Sequence, residues 1–141
     1  MENCTGSVSH QLDAKNRIRI PARFRNELGK EYYFVVGVNH CIAVYSKEAL
    51  NERLEALKSI HNTDRERFRA KQYIQGTIEK VEEDGQGRTV LSAFFREYAG
   101  IKKDVITVGN GDYLEIWSKE HREEFFKDMT PDVAFDLVDF F

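Results

Sequence analysis

The sequence predicts an α+β fold, mainly β, built from two copies of one unit, and three observations predict it. Sliding the chain by 71 residues lays Asp13–Gly29 over Asp84–Gly100 with six identities in seventeen positions, and one further residue of offset lays VYSKE (44–48) over IWSKE (116–120). Val8, His10 and Leu12 alternate with polar residues, and Ile18 and Ile20 alternate again after the Arg, the period of strands. Between the copies, Leu50, Leu54 and Leu57 recur at spacings of four and three, the stripe of an amphipathic helix.

Each element has a local reason. The alternating segments flank Asp-x-x-x-Arg, first as DAKNR (13–17) and then as DGQGR (84–88). Asp, Asn and Gly suit tight turns because they bond their own backbone or accept positive φ, so both segments are expected to be hairpin-like loops. Pro21 is placed to open a short helix at its first position and Gly29 to close it, while Ser92 and Gly100 bracket the second copy. EYYFVVGVNHCIAVYS and DVITVGNGDYLEIWS then each supply two strands around a turn, with Asn110-Gly111 read as a type I′ pair. A helix follows each. Thr63 and Glu66 have capping-box spacing and start the linking helix. The units are drawn as 6–60 and 77–127, each with its following helix, joined by a linking helix at 61–76 and followed by an acidic, aromatic tail at 128–141.

Charge is unevenly placed. The formal net charge is −3, of which +5 sits in the twelve residues from Ala14 to Arg25, leaving −8 for the remainder. Lys15, Arg17, Arg19, Arg23 and Arg25 form this run without an intervening acid, so a polyanion would meet a small local patch on a chain that otherwise repels it. A solvated face or subunit salt bridges would also accommodate the run. Asp13 and Asp84 would repel phosphate, which points to a scaffolding role in which each pairs with Arg17 or Arg88, or caps loop amides. Arg25 and Arg96 recur in both copies, as expected of a structural pairing as much as of a phosphate contact.

Two cysteines in a chain of 141 residues suggest reduced thiols, and no apolar run approaches the ~18 residues that span a bilayer, so a cytoplasmic protein without a membrane partner is expected. Enzyme chemistry finds no foothold. EEDGQGRT begins like a calcium loop, but Phe95 stands where its closing acid belongs; the four histidines lack metal-ligand spacing; and no Gly-rich phosphate loop occurs. No metal, cofactor or small-molecule substrate is expected.

The two Asp-x-x-x-Arg copies, the closing VYSKE and IWSKE and the linking helices resemble the MraZ family of bacterial transcriptional regulators over residues of about 6 to 127. The resemblance implies two pseudo-symmetric swapped-hairpin repeats of the AbrB type forming one β-barrel-like unit with helices outside. It implies nucleoid-associated homo-oligomeric rings that bind double-stranded DNA at repeated operator boxes upstream of the division and cell-wall gene cluster. Carried across by motif, Asp13, Arg17, Asp84 and Arg88 are the signature loop residues, and Lys15, Asn16, Arg17, Arg19, Arg23 and Arg25 are the expected DNA-binding set. Lys15 and Arg17 are expected at base edges, and Arg19, Arg23 and Arg25 at phosphates. Asn16 departs from the Gly usual in the family, a mild change because Asn tolerates the left-handed conformation. Ser92 replaces Pro21, and the second loop has few cations, so it is expected to be structural. An oligomeric protein-binding scaffold or antitoxin-like partner is the alternative.

Overall fold

The structure is a computed structural model and describes residues 3–141. The chain runs β1 (Ser7–Gln11), β2 (Arg17–Arg19), α1 (Ala22–Leu28), β3 (Tyr32–Val36), β4 (Ile42–Ser46), α2 (Lys47–Leu57) and α3 (Arg65–Thr77). The second copy follows as β5 (Glu79–Lys80), β6 (Arg88–Val90), α4 (Ala93–Ala99), β7 (Asp104–Gly109), β8 (Leu114–Ser118) and α5 (Lys119–Phe125), with α6 (Pro131–Ala134) in the tail.

The strands on either side of each Asp-x-x-x-Arg loop do not pair with one another. β1 pairs with β7 of the second copy, β5 pairs with β3 of the first, and β2 and β6 form a separate antiparallel ribbon. The copies therefore exchange their leading strands, so each half is completed by the other. Six strands form one antiparallel sheet in the order β1-β7-β8-β4-β3-β5. This ladder is open rather than a closed barrel, with β1 and β5 as its ends.

Alternation decides which face is buried. Phe34, Ile42, Val44, Val105, Leu114 and Ile116 point to one side of the sheet and meet Ile18, Ile20 and Phe24 of the first copy and Leu91 and Phe95 of the second in a single core. Phe24 and Phe95 occupy equivalent places, 2 % and 0 % exposed. On the opposite face α2 packs Leu50 against Val35 and Ala43. Arg53 of α2 donates to Asp112 of the second copy and lies over the stacked rings of Tyr45 and Tyr113. Cys4 and Cys41 are both free and buried.

Several local expectations need correction. Pro21 is the residue before α1 rather than its first member, because its ψ of 139° is extended. The linking helix is capped by Asp64, whose carboxylate accepts from the Arg67 amide, and not by Thr63; the turn bond from Asp64 N to His61 O sets that boundary. Asn110-Gly111 is not a type I′ pair, since only Gly111 has positive φ. Cys4 bridges both backbone groups of Gly111 and shifts the turn to Gly111 and Asp112. Positive φ at two successive residues occurs instead in the other hairpin, at Asn39 and His40. The VYSKE and IWSKE motifs prove to be a strand end plus a helix cap: Ser46 accepts from Ala49 N and Ser118 from His121 N, both at 3.2 Å.

Candidate nucleic-acid interface

The two Asp-x-x-x-Arg loops are built alike bond for bond. In the first, Asp13 N donates to Arg17 O at 3.0 Å and Asn16 N to Asp13 O at 3.0 Å. Asp13 Oδ1 accepts from Lys15 N and Arg17 N, each at 2.9 Å, while Oδ2 accepts from Arg17 Nε at 2.7 Å. In the second, Asp84 receives Gln86 N, Arg88 N and Arg88 Nε at 2.8, 3.0 and 3.0 Å. The carboxylate thus fills the role of scaffold, tying the ends of its loop to a single side chain. Asn16 and Gly87 occupy the same left-handed position, at φ 59° and 77°. This explains why Asn, which visits that region more readily than other side chains, stands in for Gly.

The β2–β6 ribbon brings the loops together. Arg17 pairs with Val90, Ile18 with Thr89 and Arg19 with Arg88. Ile18 and Thr89 are buried, which turns Arg17, Arg19, Arg88 and Val90 to the outer face. Across the ribbon Arg17 approaches Asp84 and Arg88 approaches Asp13, both at 3.9 Å, closing a ring of two acids and two arginines. Partly exposed ion pairs add little net stability in water, so the content of this ring is geometric: it ties the two loops to each other. Hydrogen bonds from the Arg17 amide, and then from its side chain, hold Asp13 below its ordinary pKa despite some desolvation. Asp84 is lowered by the equivalent bonds from Arg88 and Gln86.

The ring has no net charge, and the surplus comes from the first copy alone. Lys15, Arg19 and Arg23 are exposed and, among the described residues, make no salt bridge. Arg23 lies over Gly6, where a Cβ would fall 2.8 Å from its guanidinium, and donates to Thr5 O at 3.4 Å. Among the described residues its charge meets no carboxylate. The equivalent residues of the second copy are Gln86, Val90 and Phe94, all uncharged, with Val90 57 % and Phe94 40 % exposed. A cleft of about 430 Å³ runs beside the ring between Arg17, Arg19, Arg88 and His10. Burial holds the His10 pKa below the ordinary histidine value, so at pH 7 it adds no charge there.

Arg25 belongs to a different structure. Its guanidinium donates twice to Glu83, at 2.9 Å each, and once to Gly87 O at 3.3 Å, while Tyr32 donates its hydroxyl to the same carboxylate. Of the two roles expected for Arg25, structural pairing is the one the geometry displays. Arg96 is likewise occupied, donating to Leu91 O at 2.9 Å. Burial alone would raise the Glu83 pKa, but the bonds from Arg25 and Tyr32 outweigh it and the shift is downward. Glu83 was not singled out by sequence, because its partner lies 58 residues away and the equivalent residue of the first copy is Leu12. On α3, Asp64 caps the helix through the Arg67 amide and Arg69 pairs with Glu66 at 3.8 Å.

A tandem-repeat protein in which two exchanged Asp-x-x-x-Arg loops share one platform with a cationic edge is a defined class. The family model described as "MraZ protein, putative antitoxin-like" matches residues 4–71 and 75–132. A protein of Caldanaerobacter subterraneus subsp. tengcongensis is 39 % identical over 134 residues, covering 94 % of this chain and 92 % of its own. One from Carboxydothermus hydrogenoformans is 41 % identical over 118 residues, covering 82 % and 80 %, and one from Lachnoclostridium phytofermentans is 33 % identical over 135 residues, covering 96 % and 95 %. All three carry the name transcriptional regulator MraZ. The chain belongs to the MraZ family.

Proposed function

We propose that the protein is a sequence-specific DNA-binding transcriptional regulator, with the β2–β6 ribbon and its two loops as the reading head. The observation that carries this reading is the charge surplus of Lys15, Arg19 and Arg23 beside a ring whose own charges cancel. A two-stranded ribbon fits the major groove of B-DNA, and an outer face of arginines suits phosphate and guanine edges. Lys15 and Asn16 at the tip, with Arg19 on the ribbon, approach base edges; Arg17 and Arg88 hold the platform and offer their remaining N–H groups. Arg23 meets phosphate at the flank, and Arg25 positions the second loop through Glu83 and Gly87. The names of the relatives and the exchanged, swapped-hairpin arrangement of the repeats support this reading.

One patch of this size binds weakly. A homo-oligomeric ring that presents several patches to repeated operator boxes upstream of the division and cell-wall gene cluster would gain ~10²–10⁴ in avidity where the geometry permits. A gel shift with a duplex from upstream of the protein's own gene tests the proposal. The wild type should retard the duplex, Lys15→Glu should abolish retardation, and log affinity should fall with log salt by about 0.9 per phosphate neutralised. A duplex shifted equally well by Lys15→Glu, or an affinity indifferent to salt, would contradict it.

A further inference from the structure

The acidic tail and the groove between α2 and α3 are both open in the same chain, and each has what the other lacks. In the tail Val133, Phe135, Leu137, Val138 and Phe140 are all at least half exposed, with Phe140 at 80 %. They lie on α6 and the 3-10 segment Phe135–Phe140 and stay exposed among the described residues. Asp132, Asp136 and Asp139 recur at spacings of four and three, so the acids form one stripe and the apolar residues occupy the other sides. Residues 128–141 carry four aspartates and no cation.

The groove holds about 570 Å³ and is lined by Val35, Leu50, Leu54, Leu57, Ile74 and Ile78. Its α3 wall contains no fully buried residue, although Phe68, Lys71, Ile74 and Ile78 turn towards the body. Helix α3 carries Arg65, Arg67, Arg69 and Lys71 against the single acid Glu66, and only Arg69 of these four is ion-paired among the described residues. The α2 wall is different: Glu52 and Glu55 lie there, with Arg53 already held by Asp112. A segment with an acidic stripe and an apolar body therefore fits in one sense, with its aspartates along α3 and its apolar side chains over Leu54 and Ile74.

We infer that the tail of one subunit seats in the α2–α3 groove of a second copy of this chain, and that this contact joins neighbouring subunits. The pairing is heterologous, tail to groove, so repeated around a rotation axis it closes a ring. The inference rests on the assembly half of the proposed function and adds the residues that make the joint. It places the joint away from the Asp-x-x-x-Arg platform, so assembly and duplex contact use separate surfaces.

Light-scattering mass of the full chain tests it with the wild type, Leu137→Asp and Ile74→Asp. The wild type should be a multimer, each variant should fall towards the 16.4 kDa of a single chain, and an equal mixture of the two should recover a species of two chains. Asp136→Lys, an exposed change with no packing role, should lower the mass at low salt. For topology, Leu137→Cys with Ile74→Cys treated with a short bismaleimide should give a ladder of chain multiples on a denaturing gel, since the native thiols are buried. A wild type that is itself one chain would overturn the ring and the joint together. A multimeric wild type whose mass survives both apolar-to-acid changes, or cross-links confined to single chains, would overturn the joint and leave the ring standing.

Discussion

The two repeats share a core and a loop but not a surface. Phe24 and Phe95, Ile18 and Thr89, Ile20 and Leu91 are matched in burial, and the bonds around Asp13 are repeated around Asp84. Outside that shell the copies diverge. Lys15, Arg19 and Arg23 in one answer to Gln86, Val90 and Phe94 in the other, and Glu83, which locks Arg25, answers to Leu12. The difference separates two demands: what must fit the partner repeat is kept in both copies, and what faces solvent is free to specialise. The second loop can then be an anvil, holding the first rigid while the first carries the charge.

The largest effects should come where the copies agree. Phe24→Ala and Phe95→Ala should each destabilise by about 3–5 kcal/mol, because each leaves a cavity in one shared core. Urea unfolding would check this, and a loss confined to one of the pair would break the equivalence. Next comes the lock found in one copy only. Glu83→Gln leaves Arg25 and Tyr32 without their charged partner and should cost about 1.5–3 kcal/mol, the range for a hydrogen bond to a charged group. Its effect on duplex binding should be smaller than that of any change at Lys15 or Arg19, because Arg25 acts by positioning.

Smaller still is the effect of acid on the loops. Asp13 and Asp84 have folded-state pKa values below their unfolded ones, so their contribution is fully present above the unfolded value of about 3.9 and is lost as pH falls through the lower folded values. Amide protection factors at Lys15, Arg17, Gln86 and Arg88 should therefore hold down to about pH 4 and fall below it, to the same degree in both loops. Asp13→Ala should produce the same loss of protection at pH 7 in the first loop. An unequal acid response would show that the ring of Asp13, Arg17, Asp84 and Arg88 is not shared.

How much of this was legible in the sequence follows from the range over which each interaction acts. The loops, the strand alternation and the helix begun at Ser92 were readable because their causes lie within four residues, as the bonds of Asp13 and the cap of Ser92 show. The exchange of strands had no local signal and entered only through the family resemblance, since Ser7–Gln11 would look the same whether it paired with its neighbour or with Asp104–Val108. Glu83, Arg53 and Asp112 were missed for the same reason: their partners lie 58 or 59 residues away. At Asn110-Gly111 a local rule was overridden by a distant bridge from Cys4. The cations of the candidate site were all visible in sequence, and so was the pairing of Asp13 with Arg17, but the capture of Arg25 by Glu83 was not.

The most direct measurement exchanges the solvent-facing residues of the two repeats while leaving the shared core and ring untouched. Lys15→Gln, Arg19→Val and Arg23→Phe together give the first copy the surface of the second, and duplex affinity is to be followed against salt. Loss of specific binding, with a salt slope shallower by about the one phosphate contact assigned to Arg23 and an unaltered unfolding midpoint, is the expected result. Wild-type affinity and slope in that triple variant would contradict the assignment of the charge-bearing role to the first repeat.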